Sequence, residues 1–545
     1  SAADNATAAV RRHAGRARAP ATIAGMRSLL PLALAAAAAG SAMEAKAAAG
    51  TEPCQLRGVE HTARCGRVSR PLDPERPDGV QIEVHYAVLP ALARRKLPDP
   101  VFFFAGGPGQ SAIELAGSAN RLLARLANRR DIVLVDQRGT GRSAPLVCPP
   151  PDPLAPLAES ADPARQRAAL ARCREQLQTL PHGDLRQYTT TIAVADVDAV
   201  RRALGAARIN LVGGSYGTRA ALEYMRQYPQ HVRRAVLDGV APPDMALPAS
   251  IGQDAQAAFD ALARACADEP ACDARYPSLA SAWGQVLAGL PRTVTVPHPM
   301  TGEPERFVLT PEAAGALLRL PLYVPSLAAA LPLAIGEAAQ GCFTALAGLA
   351  GTMAGRRGAL DLAEGMHFSV VCAEDMPRIE GGAARAAGAM PAEGATAPAA
   401  GAPVAPATPD FGDSLGRVYH EVCAGWPRGS VPPAFYALPP APAATLVFSG
   451  GLDPVTPPRH GARAVDALGA RARHVVVPHA GHGVTGIGCA RDIVHRFIAA
   501  EREADALALD ATCIERIPRP PAVLPLRRSA AEPSAPRPAA AEDCR

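Results

Sequence analysis

Ser215 lies in Leu211-Val212-Gly213-Gly214-Ser215-Tyr216-Gly217, a G-x-S-x-G pattern with an apolar run before it and a helical pattern, Thr218 to Tyr228, after it. A turn that tight between strand and helix needs residues without bulk two places before and after the serine. The hydroxyl is then thrust clear of the backbone, where a base and a substrate can reach it. The helix start aims free N–H groups and its positive end at the same spot. This permits attack of an alcohol on a carbonyl carbon, through a covalent acyl intermediate. A serine hydroxyl is a poor nucleophile at neutral pH, so the arrangement requires a base.

His482, in His479-Ala480-Gly481-His482-Gly483, is the candidate base. Asp453, in Gly450-Gly451-Leu452-Asp453-Pro454-Val455-Thr456, is the candidate acid that orients it. Each follows a short apolar run, and one strand-helix-strand step separates them. Both would therefore reach the carboxyl ends of neighbouring strands, beside Ser215. His482 would take the serine proton, while Asp453 would fix its tautomer and steady the imidazolium. His479 competes for the first role, and Asp238 is the fallback for the second. A developing oxyanion needs two N–H donors. The backbone of Tyr216 offers one. Gly107, in Ala105-Gly106-Gly107-Pro108-Gly109, offers the other, because Pro108 has no N–H to give.

These side chains need a scaffold that gathers them. Val101–Phe104, Ile132–Val135, Ile209–Val212, Ala235–Leu237, Thr445–Phe448 and His474–Val477 are apolar runs closed by Gly or a polar residue. Runs of that kind are what a parallel sheet covered on both faces produces. Helical patterns such as Thr191–Leu204 and Ala220–Gln227 alternate with them, which predicts a doubly wound, mostly parallel α/β sheet. The alternation stops between 246 and 440, where Ala257–Cys266 and Leu327–Gln340 have helical periodicity. We read that stretch as a helical cap inserted between the two parts of the core, 48–245 and 441–518. Residues 380–410 are Ala/Gly/Pro-rich and predict a flexible loop, and 519–545 a loose tail.

Hydrophobic residues make up 48% and charged residues 20%, which excludes a wholly disordered or fibrous chain. The net charge is +5, and Lys46 and Lys96 are the two lysines. Outside residues 1–27 the arginines are interleaved with acids, so no nucleic-acid partner is expected. Met26-Arg27, the apolar run Leu29–Ala39 and Ala45-Lys46-Ala47 form the charge-apolar-small order of a secretory signal, making 1–47 a targeting region. The run is too short to span a bilayer. A secreted or periplasmic protein, with no stable membrane anchor after cleavage, is the expectation. The 12 cysteines then suggest disulfides, with the chain neighbours Cys54–Cys65, Cys148–Cys173, Cys266–Cys272 and Cys489–Cys513 as the natural pairs, Cys372–Cys423 as a longer-range pair, and Cys342 and Cys544 left over. No C-x-x-C or H-E-x-x-H occurs, so no metal or cofactor is expected.

GGPG at 106–109, DQRGTGRS at 136–143, GGSYG at 213–217, SGGLDPVTP at 449–457 and AGHG at 480–483 together resemble the serine aminopeptidase branch of the α/β-hydrolases. The chain is similar to prolyl iminopeptidases and more so to secreted bacterial tripeptidyl aminopeptidases. Cys372-Ala373-Glu374-Asp375, Trp426-Pro427 and Cys489 with Cys513 also look like the latter. Ala105, where iminopeptidases carry His, is a departure. The resemblance implies an α/β-hydrolase with a helical cap that releases short peptides, tripeptides, from free N-termini. A carboxylesterase with the same triad is the alternative. Such an exopeptidase must hold an ammonium group at a fixed distance from Ser215, which calls for buried carboxylates in the cap. By position in the family-like segment these are Glu374 and Asp375. Arg138, in the DQRG segment, is read as structural, pairing with carbonyls or an acid.

Overall fold

The six apolar runs become the middle and one edge of a nine-stranded sheet. The computed structural model describes residues 50–354, 362–380, 411 and 414–524. The targeting region, nearly all of the low-complexity stretch and most of the tail lie outside the described residues. The strands are β1 (Glu52–Cys54), β2 (Ala63–Pro71), β3 (Gln81–Leu89), β4 (Val101–Phe104), β5 (Ile132–Val135), β6 (Ile209–Gly214), β7 (Val232–Asp238), β8 (Arg292–Pro297), β9 (Pro304–Leu309), β10 (Thr445–Gly450) and β11 (Ala472–Val477). The main sheet runs β1-β2-β3-β5-β4-β6-β7-β10-β11. Pairing is antiparallel from β1 to β5 and parallel from β5 to β11.

Two apolar layers cover this sheet, as alternation along β5 makes plain. Ile132 and Leu134 join one core with Leu123, Leu126, Ile493 and Phe497, from the helices Ala116–Ala127 and Ala490–Ala499. Val133 and Val135 join the other with Val194, Val197, Leu222 and Tyr224, from the helices Thr190–Ala203 and Tyr216–Gln227. Strands buried on both faces have no polar side, which is why their sequences read as unbroken apolar runs. The chain order reverses about β4, with β5 on one side and β6 on the other. Ligands of open α/β sheets bind at such a switch point, outside the carboxyl ends of the strands.

The stretch between β7 and β10 is mostly helical, with its own core around Phe259, Trp283, Leu318 and Leu331. It departs from expectation in two places. β8 and β9 form an antiparallel hairpin inside it. Leu327–Gln340 is two helices, Pro325–Ala328 and Leu331–Ala339. Pro332 stands in the first turn of the second, where its missing N–H costs nothing, and it could not have continued the first. The five expected disulfides form, and no described cysteine is free; Cys544 lies outside the described residues.

Arg138 has the structural surroundings expected of it. Its guanidinium is fully buried and donates to Asp196 at 2.7 and 3.0 Å, to Leu72 O at 2.7 Å and to Gln187 O at 3.0 Å. Removing one partner of a buried pair strands the other charge and costs about 3–5 kcal/mol. Arg70 also reaches Asp196, at 3.0 Å, so we expect Arg138→Ala to cost about 3 kcal/mol in denaturant unfolding. An unchanged midpoint would contradict this account of the sheet edge.

Candidate active site

β6 ends at Gly214 and the next helix begins at Tyr216, two residues earlier than its pattern suggested, so Ser215 alone makes the turn. Its backbone sits at φ 56°, ψ −127°, a conformation that costs a non-glycine residue about 1–3 kcal/mol. Neighbours hold it there. Its N–H donates to Asp238 O at 2.9 Å, and its carbonyl accepts from Thr218 Oγ1 at 2.6 Å. A Cβ at Gly213 would come within 2.5 Å of Gly217 O, and one at Gly217 would run into the Phe104 carbonyl. The two glycines are thus required by the approach of strand and helix.

Asp453 follows β10 and His482 follows β11, neighbouring strands as expected. The Asp453 carboxylate is buried and accepts from His482 Nδ1 at 2.8 Å. It also accepts from Val455 N at 2.9 Å, Thr456 N at 2.8 Å and Thr456 Oγ1 at 2.8 Å. Thr456 Oγ1 lies 3.2 Å from His482 Nδ1 as well. A proton held on Nδ1 by Asp453 leaves the Nε2 lone pair free to accept another. His479 is exposed. Asp238 makes no hydrogen bond to the ring among the described residues. Its carboxylate instead accepts from Val484 N at 2.9 Å and from Thr485 N and Oγ1 at 2.8 and 2.7 Å.

Ser215 and His482 line one cavity of about 450 Å³, together with Gly107, Tyr216 and Asp375. No hydrogen bond joins the serine hydroxyl to the imidazole among the described residues. Such bonds are often long before substrate binds. On the loop after β4, Gly106 N–H donates to Gln110 Oε1 at 3.1 Å, which leaves Gly107 N–H as the next donor. Gly107 has φ +107°, and a Cβ there would lie 2.7 Å from Gly109 N. Gly107 and Tyr216 line the cavity together with Ser215.

Glu374 and Asp375 end the helix Glu364–Glu374 and are both buried. Asp375 faces the cavity, and Glu374 lies behind it. Arg219, on the helix that Ser215 opens, donates to Asp375 at 3.0 and 3.2 Å and to Glu374 at 3.5 Å. Glu374 also accepts from Thr190 N at 2.6 Å and Oγ1 at 3.0 Å, and Thr190 Oγ1 meets Tyr216 Oη at 2.7 Å. Burial pushes the Glu374 carboxyl up to about 7, against the pull of Arg219 and Thr190 and with the help of Asp375.

Sequence reasoning named Ser215, Asp453, His482, Gly107, Tyr216, Glu374 and Asp375, and it missed Thr456, Arg219, Thr190 and Tyr323. Thr456 had a local signal, a hydroxyl three residues after an acid in a turn. The others meet the site only through tertiary approach. The Tyr323 carbonyl accepts the His482 N–H at 3.0 Å, and its ring stands edge-on to the imidazole with centroids 5.4 Å apart.

Fold and sequence place the chain in the α/β-hydrolase class of structures. A model described as alpha/beta hydrolase fold matches residues 99–286, and one described as TAP-like protein matches 408–513. Among curated relatives, "Tripeptidyl aminopeptidase" of Streptomyces coelicolor is 32% identical over 38% of this chain and 40% of its own length. "Serine protease Hip1" of Mycobacterium tuberculosis is 31% identical over 38% and 42%. "Carboxylesterase B" of the same organism is 28% identical over 39% and 43%. The chain spans about two fifths of the length of the curated relatives it matches. Among solved structures, the proline iminopeptidase of Mycobacterium smegmatis aligns at a TM-score of 0.34 and 15% identity, over 81% of this chain and 99% of that one.

Burial alone would push the His482 imidazole down, but the charge and hydrogen bond of Asp453, with Asp238 further off, hold it above the ordinary histidine value. Followed by NMR, the ring should titrate above pH 6.5 in the native protein. In Asp453→Asn only the burial effect and the distant Asp238 remain, so the midpoint should fall. A midpoint that ignores this substitution would contradict the pairing.

Proposed function

We propose that the protein is an exported serine hydrolase that releases short peptides, tripeptides, from free N-termini. The observation that carries this reading is the His482–Asp453 hydrogen bond at a cavity that also holds Ser215 in its strained turn. His482 Nε2 takes the hydroxyl proton as Ser215 Oγ bonds to the substrate carbonyl carbon. The carbonyl oxygen becomes an oxyanion and accepts from the N–H groups of Gly107 and Tyr216. Collapse breaks the C–N bond, and His482 gives its proton to the leaving amine. Water then attacks the ester, again losing a proton to His482, and Ser215 departs with that proton. Asp453 steadies the imidazolium throughout and Thr456 holds Asp453.

Free-amine specificity is supported by Asp375 on the cavity wall and by similarity to tripeptidyl aminopeptidases. As pH rises through about 7 and Glu374 loses its proton, its cluster with Arg219 and Asp375 gains negative charge that attracts an ammonium group. Export is supported by the disulfides, which persist in oxidising compartments. Among the described residues no helix is long and apolar enough to cross a membrane. The carboxylesterase reading uses the same triad and acyl-enzyme, with a C–O bond broken and an alcohol leaving in place of the amine, and is favoured by the similarity to carboxylesterase B.

A tripeptide anilide with a free amine, its N-blocked form and a simple aryl ester separate the two. We expect the free-amine anilide to be cleaved fastest. Its KM should fall as pH rises through about 7 and climb again as the α-amine loses its proton near pH 8. Equal turnover of free and blocked anilides would remove the aminopeptidase reading, and turnover of the ester alone would replace it with the esterase.

A further inference from the structure

Two guanidinium groups line the cavity of Ser215 and His482, and their surroundings differ. Arg219 is matched by Asp375 and Glu374. Arg319, on the helix Pro311–Leu322, has a single polar partner among the described residues, Tyr323 Oη at 3.3 Å. It makes no ion pair among the described residues and is half-buried. Burial pushes the Tyr323 phenol up, so that group is neutral at pH 7 and supplies no counter-charge. A partly desolvated cation with no anion beside it is a cost that a bound anion would relieve. The planar fork of arginine fits a carboxylate with two parallel hydrogen bonds.

The position of Arg319 says which part of a substrate it meets. Its partner Tyr323 stands edge-on to the His482 ring and holds the His482 backbone. Arg319 is thus on the imidazole flank of the cavity. Asp375 and Arg219 are tied instead to the Tyr216 side, through Glu374 and Thr190. His482 hands its proton to the leaving amine, so the imidazole flank faces the fragment that departs.

We propose that Arg319 binds a carboxylate on the leaving side of the substrate, next to the bond that is cut. This rests on the peptidase reading for its orientation. The carboxylate has two possible sources, the free C-terminus of a one-residue leaving group or an acidic side chain on that residue. With the first, the enzyme favours short peptides whose chain ends just past the scissile bond. With the second, it favours Asp or Glu there in chains of any length.

Four free-amine tetrapeptides that share their first three residues test this. The fourth residue is alanine as the free acid, alanine amide, aspartate amide or asparagine amide. We expect the native enzyme to favour one carboxylate form over its neutral partner by about tenfold in kcat/KM. The alanine pair reports the C-terminus and the aspartate pair the side chain. Arg319→Gln should bring that ratio close to one, and Arg319→Lys should keep part of it; melting points of both variants check the fold. The same peptides titrated calorimetrically into Ser215→Ala, with and without Arg319→Gln, report binding without turnover. If the native protein cuts none of them, yet Ser215→Ala binds a carboxylate form more tightly through Arg319, the peptidase reading falls and the carboxylate site stands. Equal handling of both pairs, a preference that survives Arg319→Gln, or no binding of either pair overturns the proposal.

Discussion

Asp238 closes β7 and works with both of its ends. Its backbone carbonyl accepts the N–H of Ser215, and its carboxylate accepts two backbone N–H groups and one hydroxyl from Val484 and Thr485, just past His482. One residue thus ties the turn that presents the hydroxyl to the loop that presents the imidazole. β7 also lies between β6 and β10, paired in parallel with both. The separation of nucleophile and base is therefore set by strand spacing and one side chain. Burial pushes the Asp238 carboxyl up, and the three donors it accepts pull it the other way. It is Asp453, not Asp238, whose carboxylate accepts from the histidine ring.

The helical stretch between β7 and β10 reaches each loop of the site. Tyr323 O holds the His482 N–H. His367 Nδ1 lies 3.1 Å from Pro108 O on the loop that carries Gly107, while its Nε2 lies 2.7 Å from Tyr419 Oη. Glu374 and Asp375 grip Thr190 and Arg219, behind Tyr216. The core strands supply the reactive groups. The stretch between β7 and β10 adds Arg319, Tyr323, His367 and Asp375 to the cavity wall.

Local chemistry made much of this legible. The strands inside the sheet were plain because a strand with no solvent face has no polar positions, and β11, at the edge with Val476 exposed, was still apolar enough to read. Ser215, Asp453 and His482 each follow a strand end and carry short-range signatures in glycine and proline. Four of the expected disulfides join cysteines 6 to 25 residues apart, while Cys372–Cys423 spans 51. β2 escaped notice because it alternates charged and small residues near an edge, as in Arg64, Gly66 and Arg70. The β8–β9 hairpin was hidden by the helical composition around it, although Thr293 and Thr295 alternate with Val294 and Val296. Arg219 could not be read from its neighbours. It looks like any helix arginine until the fold brings two acids to it, from 155 and 156 residues further along the chain.

The central claim is that the Ser215 hydroxyl is activated by His482. Labelling with a fluorophosphonate, located by peptide mapping and timed by intact mass, tests it most directly. The account requires one adduct, on Ser215, absent in Ser215→Ala and formed orders of magnitude more slowly in His482→Ala. An unmodified native protein, an adduct on another serine, or a rate indifferent to His482→Ala would contradict it.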